Sequence, residues 1–169
     1  VTIDEAIVAV ADFLQPLMPV ATTIVRGQTN DVPPPLPPSI VITEVGKPQY
    51  TTTRVTGGGA FTQQDTYLQP VRLDVQLDFY GLQAGDMSGI ANTMLRSGYA
   101  VEDFPDGVAP LYCSDAIQAP LITGEKQFEA RWIITLSLQY NASVTVGQES
   151  FIEVGDVMVD PVDQTTPTE

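Results

Sequence analysis

Chemistry in this chain would have to come from carboxylates, because it has no histidine and one cysteine, Cys113. Every common nucleophile triad lacks its histidine base here, and zinc sites lack both histidine and paired cysteines. Two carboxylates could still act as acid and base on a glycosidic bond. Asp74 and Asp78 share one face of an alternating segment, but four residues of strand separate them by roughly 14 Å. Such pairs work at about 5–9.5 Å, so these two fail on geometry. The triplet Gly57–Gly59 has no following Gly-Lys-Ser/Thr and is no phosphate loop. Asp156, Asp160 and Asp163 do not follow the spacing of a calcium loop. Arg131 reads as a cross-strand partner for an acid such as Asp78, not as a catalytic cation. The expectation is a protein without catalytic activity, cofactor or metal.

The elements that carry these residues are two alternating strands. In Val71–Gly81 the apolar Val71, Leu73, Val75, Leu77 and Phe79 alternate with Arg72, Asp74, Gln76, Asp78 and Tyr80. A strand turns successive side chains to opposite faces, so one face is buried and the other is wet or meets a partner. A second run puts Phe128, Ala130, Trp132, Ile134, Leu136, Leu138 and Tyr140 on one face. Its length, some 44 Å at about 3.4 Å per residue, suggests a bulge or a stretch that reaches beyond the sheet. Thr2-Ile3-Asp4-Glu5 is a capping box for a helix with its stripe at Ile3, Ile7, Val10, Leu14 and Leu17, which Pro16 and Pro19 end. A second helix is expected near Asp86–Ser97, its stripe Met87, Ile90, Ala91, Met94 and Leu95, with Gly98 as its stop.

Between these lie a stiff connector of five prolines within Pro33–Pro38 and a short strand at Ser39–Val45. The segment 46–69 is rich in Thr, Gln and Gly and reads as a β-hairpin. Its arms lie near Gln49–Val55 and Phe61–Tyr67, with Gly57, Gly58 and Gly59 at the tip. Neither of its faces is clearly apolar, so it should project instead of lying on the core, with Tyr50, Arg54, Gly57, Gly58, Gly59 and Phe61 as candidate contacts to a neighbour. From Val144 onward the chain is rich in acids, with no base, and reads as a tail. The organisation expected is one domain over residues 1–147 and an acidic tail over 148–169, with Asp156, Asp160 and Asp163 as candidate contacts there.

Twenty-one acids against seven Lys and Arg give a net charge of −14 over 169 residues. Such a surface repels phosphate backbones and anionic membranes, which argues against wrapping nucleic acid and against a membrane site. A lone cysteine fits a reducing compartment, and no targeting segment or span of about 20 apolar residues is evident. Val1 as first residue fits removal of an initiator methionine.

Four segments, in order, resemble the phage neck, or tail terminator, proteins of contractile-tailed bacteriophages. They are Arg26-Gly27-Gln28-Thr29-Asn30-Asp31-Val32-Pro33, Gln76-Leu77-Asp78-Phe79-Tyr80-Gly81, Pro110-Leu111-Tyr112-Cys113-Ser114-Asp115, and the run from Gly124-Glu125 through Arg131-Trp132. The residues carrying the resemblance are Arg26, Asn30, Pro33, Gln76, Asp78, Tyr80, Gly81, Pro110, Tyr112, Asp115, Gly124, Glu125, Arg131 and Trp132. The resemblance runs from about residue 20 to residue 147; the Gly57–Gly59 tip and the tail beyond Gly147 have no counterpart in it.

The resemblance implies an α+β subunit, a small mixed or antiparallel β-sheet flanked by two helices; the residues themselves add a projecting β-hairpin and an extended acidic C-terminal tail. It implies a structural virion protein of the phage neck, assembled in the host cytoplasm. As a homo-oligomer, with a hexameric ring expected, it would cap the head-proximal end of the tail tube and terminate polymerisation. Its partners would be the tail tube protein, possible sheath contacts and the head–tail connector, with DNA passing through the channel without specific binding. The alternative from the residues alone is a soluble ligand- or glycan-binding module that uses Tyr67, Tyr80, Tyr112 and Tyr140 on the wet strand face.

Overall fold

The computed structural model describes residues 1–28, 35–49, 51–57, 64–119, 121–122 and 128–147. The chain order is α1 (Ile3–Leu14), a 3-10 turn (Gln15–Leu17), β1 (Thr23–Arg26), β2 (Ser39–Gly46), β3 (Arg54–Gly57) and β4 (Gln64–Tyr80). Next come α2 (Ala84–Leu95), α3 (Gly98–Asp103), β5 (Val108–Cys113), β6 (Ile117–Gln118), β7 (Leu121–Ile122), β8 (Phe128–Glu129) and β9 (Arg131–Gly147). The fold is α+β. Seven strands make one mixed sheet in the order β1-β2-β4-β9-β5, with β3 also on β4 and β6 also on β9, while β7 and β8 form a separate ladder. Among the described strands only β1 and β2 run parallel.

The spine is the antiparallel pair β4 and β9, in unbroken register from Gln64↔Gly147 to Tyr80↔Arg131. At about 3.4 Å per residue each strand is some 58 Å long, well beyond the usual length. The expected alternation holds: Val71, Leu73, Val75, Leu77 and Phe79 meet Ile134, Leu136, Leu138 and Tyr140 in the core. The helices all bury into that same cluster, through Val10 and Phe13 of α1, Met87 and Ala91 of α2, and Ala100 of α3. One face of the sheet thus carries the whole helical layer.

Helix α1 starts as its sequence demands. Glu5 N donates to Thr2 Oγ1 at 3.2 Å and Thr2 N donates to Glu5 Oε2 at 2.8 Å, closing the capping box. Pro16 confines Gln15–Leu17 to a 3-10 turn. Gly81 has φ of +107°, and a Cβ there would sit 2.9 Å from Pro37 Cβ, so only glycine makes the turn from β4 to α2.

Several expectations change. Helix α2 begins at Ala84, and Gly98 opens a third helix because Ser97 already turns extended as its N-cap. Ile90 is exposed, and Ser88 takes a buried place on α2. Phe128 and Ala130 do not extend the long strand: Phe128–Glu129 pairs with Leu121–Ile122, and β9 starts at Arg131. Val144–Gly147 is no tail, since Val144, Thr145, Val146 and Gly147 pair with Tyr67, Thr66, Asp65 and Gln64. The hairpin's outgoing arm is the first part of β4 itself, and only Arg54–Gly57 forms its incoming strand. The tip at Gly58, Gly59 and Phe61 and the segment 148–169 lie outside the described residues.

Candidate functional site

The face of the sheet opposite the helices is a ladder of charged and polar pairs. Arg131 donates to Asp78 Oδ1 from Nε at 3.0 Å and from Nη2 at 2.8 Å. Gln76 Nε2 reaches both Asp78 oxygens, at 3.0 and 2.9 Å. Asp78 is only 4% exposed, so its charge is compensated by these donors and not by water. The guanidinium also lies 5.8 Å from the centre of the Tyr80 ring. Burial first, then the nearby Asp78 charge, raises the Tyr80 phenol above its usual range, while Arg131 opposes the shift.

Farther along the same face Arg72 donates to Asp74 Oδ2 from Nε and Nη2, at 3.1 and 2.8 Å, and Ser137 Oγ donates to Asp74 Oδ1 at 2.6 Å. Each carboxylate considered for acid–base work is therefore held by its own arginine. The face carries no net charge excess from these two pairs. It is a fixed hydrogen-bonding surface.

A second surface appears where the helical layer stops. Val1 N lies 3.2 Å from Asn141 O, and Asn141 N donates to Gly107 O at 3.0 Å. Beyond Asn141 the strands β9 and β4 continue as an arm, with β3 added on the far edge of β4. Six residues of β9 past Asn141 make it about 20 Å long. The core-side face of this arm carries a row of apolar residues beside Asp65 and Gln69. Val55, Tyr67 and Val144 stand opposite one another across its three strands, and Val146 follows next to Asp65. They are 51%, 36%, 62% and 48% exposed, with nothing packed over them among the described residues. The other face carries Arg54, Thr56, Thr66, Leu68, Ser143 and Thr145, with Thr66 and Thr145 hydroxyls 3.2 Å apart. Asp65 is buried in the arm, and its Oδ1 has no hydrogen-bond partner among the described residues.

The sequence-derived residues divide among several places. Gln76, Asp78, Tyr80 and Arg131 come together on the polar face, as the expected Arg131–Asp78 pairing requires. Trp132 points the other way, and a Cβ on Gly85 of α2 would lie 3.3 Å from its Nε1. Arg26 at the end of β1 is ion-paired with Asp4 and lies 3.9 Å from Glu44. Pro110 and Tyr112 lie on the edge strand β5, and Asp115 beyond it is ion-paired to Arg96 at 2.8 Å. Arg54 and Gly57 lie on β3. Asn30, Pro33, Tyr50, Gly58, Gly59, Phe61, Gly124, Glu125, Asp156, Asp160 and Asp163 lie outside the described residues. The tyrosines do not form a ligand site: Tyr140 is in the core, and Tyr67 and Tyr80 sit on opposite faces of β4.

Sequence reading missed the apolar row of the arm. Val55 and Tyr67 stand in Thr- and Gln-rich segments, whereas Ala142, Val144 and Val146 continue the alternation of Ile134, Leu136, Leu138 and Tyr140, a signal that the tail reading passed over. It also missed how β5 is tied to α2. Arg96 donates to Cys113 O from Nε and Nη2, at 2.9 and 2.6 Å, and Asn92 Nδ2 donates to Ser114 O at 2.5 Å. Cys113 is itself buried, which pushes its thiol up to about 11, against the nearby Arg96 charge that lowers it. Among the described residues no group of three or more His, Cys, Asp or Glu could hold a metal, and no helix is long and apolar enough to cross a membrane.

A family model described as phage neck terminator protein matches residues 4–164. That span includes the glycine-rich tip and most of the acidic segment after Gly147. No curated protein matches the chain.

Proposed function

The chain belongs to the phage neck terminator protein family, a structural component of the virion neck, and from that premise we propose that it closes the tail tube as a ring. The observation that carries this reading is the family match over nearly the whole described chain. The ring, with six copies, sits on the head-proximal end of the tube, ends its growth and offers its outer face to the head connector. An open polymerising face is capped by a ring of matching symmetry through heterologous, closing contacts. Two features suit such contacts: the apolar row of the arm, and the edges of β3 and of β9 past Asn141, unpaired among the described residues.

No chemistry is assigned to the polar face. Its ion pairs are satisfied within the chain, so its role is to keep the sheet rigid while partners bind elsewhere. Six copies would carry 6 × −14 = −84 charges, on the order of what only screening or outward-facing acids make tolerable. Part of that charge lines the channel and keeps DNA phosphates from adhering. The acidic segment 148–169 is held by a neighbouring subunit or a neck protein.

Inactivating the coding gene in the phage tests this. Electron micrographs of the lysate should show unjoined heads and tails with overgrown tubes, and the wild-type gene in trans should restore them. Complete virions with tails of normal length and no copy of the chain would overturn the reading. Truncation after Gly147 should leave the fold intact and weaken docking.

A further inference from the structure

Strand β9 runs past its last contact with β5 and leaves one edge of that stretch open. Val108 pairs with Tyr140, Asn141 N donates to Gly107 O, and from Ala142 to Gly147 no described strand pairs with this edge. Every second residue of such an edge turns an N–H and a C=O outward, a template for one more strand. Ala142, Val144 and Val146 give the stretch one apolar side, and residues 143–147 are exposed. We infer that residues 151–159 of a neighbouring copy add to this edge as a strand, with Ile152 and Val154 on the side of Val144 and Val146. The inference rests on the ring reading, which gives the segment 148–169 to a neighbour, and names its seat.

Length, position and sequence select the occupant. Residues 148–169 are the longest stretch outside the described residues, and they follow Gly147 directly, at the free end of the arm. Within 151–159, Phe151, Ile152, Val154, Val157, Met158 and Val159 are apolar, and Ile152-Glu153-Val154 alternates as a strand with one apolar side does. The edge suits the acids of that segment too, because β9 has no Asp or Glu from Arg131 to Gly147. Glu153 and Asp156 therefore meet no like charge on the strand that receives them. A return along the same copy's edge fails for each short loop that leaves Val146 as the last paired residue. Loops of two or four residues set Glu153 beside the apolar row, and a loop of five sets Asp156 beside Ala142. A loop of three needs a left-handed residue at Glu149, a place that favours glycine. A second copy imposes no loop and leaves the register free. Strand and edge are different surfaces, so each copy gives one strand and receives one, as a heterologous ring requires.

Cysteine cross-linking of the full chain tests this. Native Cys113 is buried and stays silent. Val144→Cys is purified, mixed with Ile152→Cys or with Val154→Cys, and oxidised. The expected product is a mixed dimer that no single variant forms alone. With Glu153→Cys, on the other side of the added strand, it should form about tenfold more slowly. Val144→Cys and Val154→Cys in one chain should give a ladder of oligomers. Adding Glu153→Pro and Val154→Pro to the Ile152→Cys partner should slow the mixed product about tenfold, because neighbouring N–H groups of a strand point to opposite sides and one of the two leaves the ladder in any register. An unchanged rate there would overturn the inference, as would equal rates for Ile152→Cys and Glu153→Cys, or no mixed dimer. So would an internally linked monomer from the double variant, since the segment would then lie on its own edge. The mixed dimer together with normal tails on phage lacking the gene would strike the ring reading and leave this contact standing. Overgrown tails with no mixed dimer would do the reverse.

Discussion

Replacing Arg131 by Met should destabilise the folded chain by about 2–3 kcal/mol. Asp78 is 4% exposed, and its carboxylate receives two donors from Arg131 and one amide nitrogen from Gln76. With the arginine gone, Gln76 Nε2 is the sole donor left among these. Breaking a fully buried ion pair costs about 3–5 kcal/mol, mainly because the remaining charge is uncompensated. The Arg131 side chain is 25% exposed, so water can reach the vacated site and return part of that loss. For a chain of this length the expected loss lowers the melting temperature by about 5–10 °C. Urea unfolding should show a lower midpoint with an unchanged slope, the mark of a stability change without a change in compactness. Adding Asp78→Leu should recover most of the loss, because apolar groups can replace an intact buried pair at little cost. A cost below about 0.5 kcal/mol for Arg131→Met, typical of an exposed pair, would refute the reasoning. A double variant as unstable as the single one would assign the loss to packing on Tyr80 instead of to the stranded charge.

Three further outcomes rest on local geometry. The Cys113 thiol, pushed up to about 11, should resist alkylation at pH 8 in the folded chain. The folded form keeps that proton while the unfolded form loses it near 9, so stability falls as pH rises from 9 to 11. Urea melts should show wild type losing about 2–3 kcal/mol more than Cys113→Ala across that window. Gly81→Ala should cost at least about 2 kcal/mol, because φ is +107° and Pro37 blocks the new methyl group; Gly89→Ala, in an open helix position, should instead stabilise by up to about 1 kcal/mol. Thr2→Ala should cost about 1 kcal/mol in the same melts by removing the acceptor for Glu5 N.

By itself the sequence determined the elements whose signals are local. The alternation of Val71–Tyr80 fixed which face of β4 is buried, since a strand's period of two leaves no other register once one face is apolar. The capping box at Thr2 and Glu5 fixed where α1 begins, because both of its hydrogen bonds lie within four residues. Asp78 with Arg131 was legible as well, because opposite charges on two wet faces of paired strands have few other partners. The tertiary structure decided what depends on residues far apart. Ile90 faces outward because Ser88 takes a buried place on α2, a choice that the helical stripe alone leaves open. Val144–Gly147 became strand because Gln64–Tyr67 offered a matching edge, whereas the acid-rich composition around it pointed to a tail. The arm's apolar row required β3, β4 and β9 to lie side by side: Ala142, Val144 and Val146 carry on the alternation of β9, but Val55 and Tyr67 join them only when pairing sets the three strands together. That the row stays exposed follows from the helix layer ending short of it, which no one stretch of the chain records.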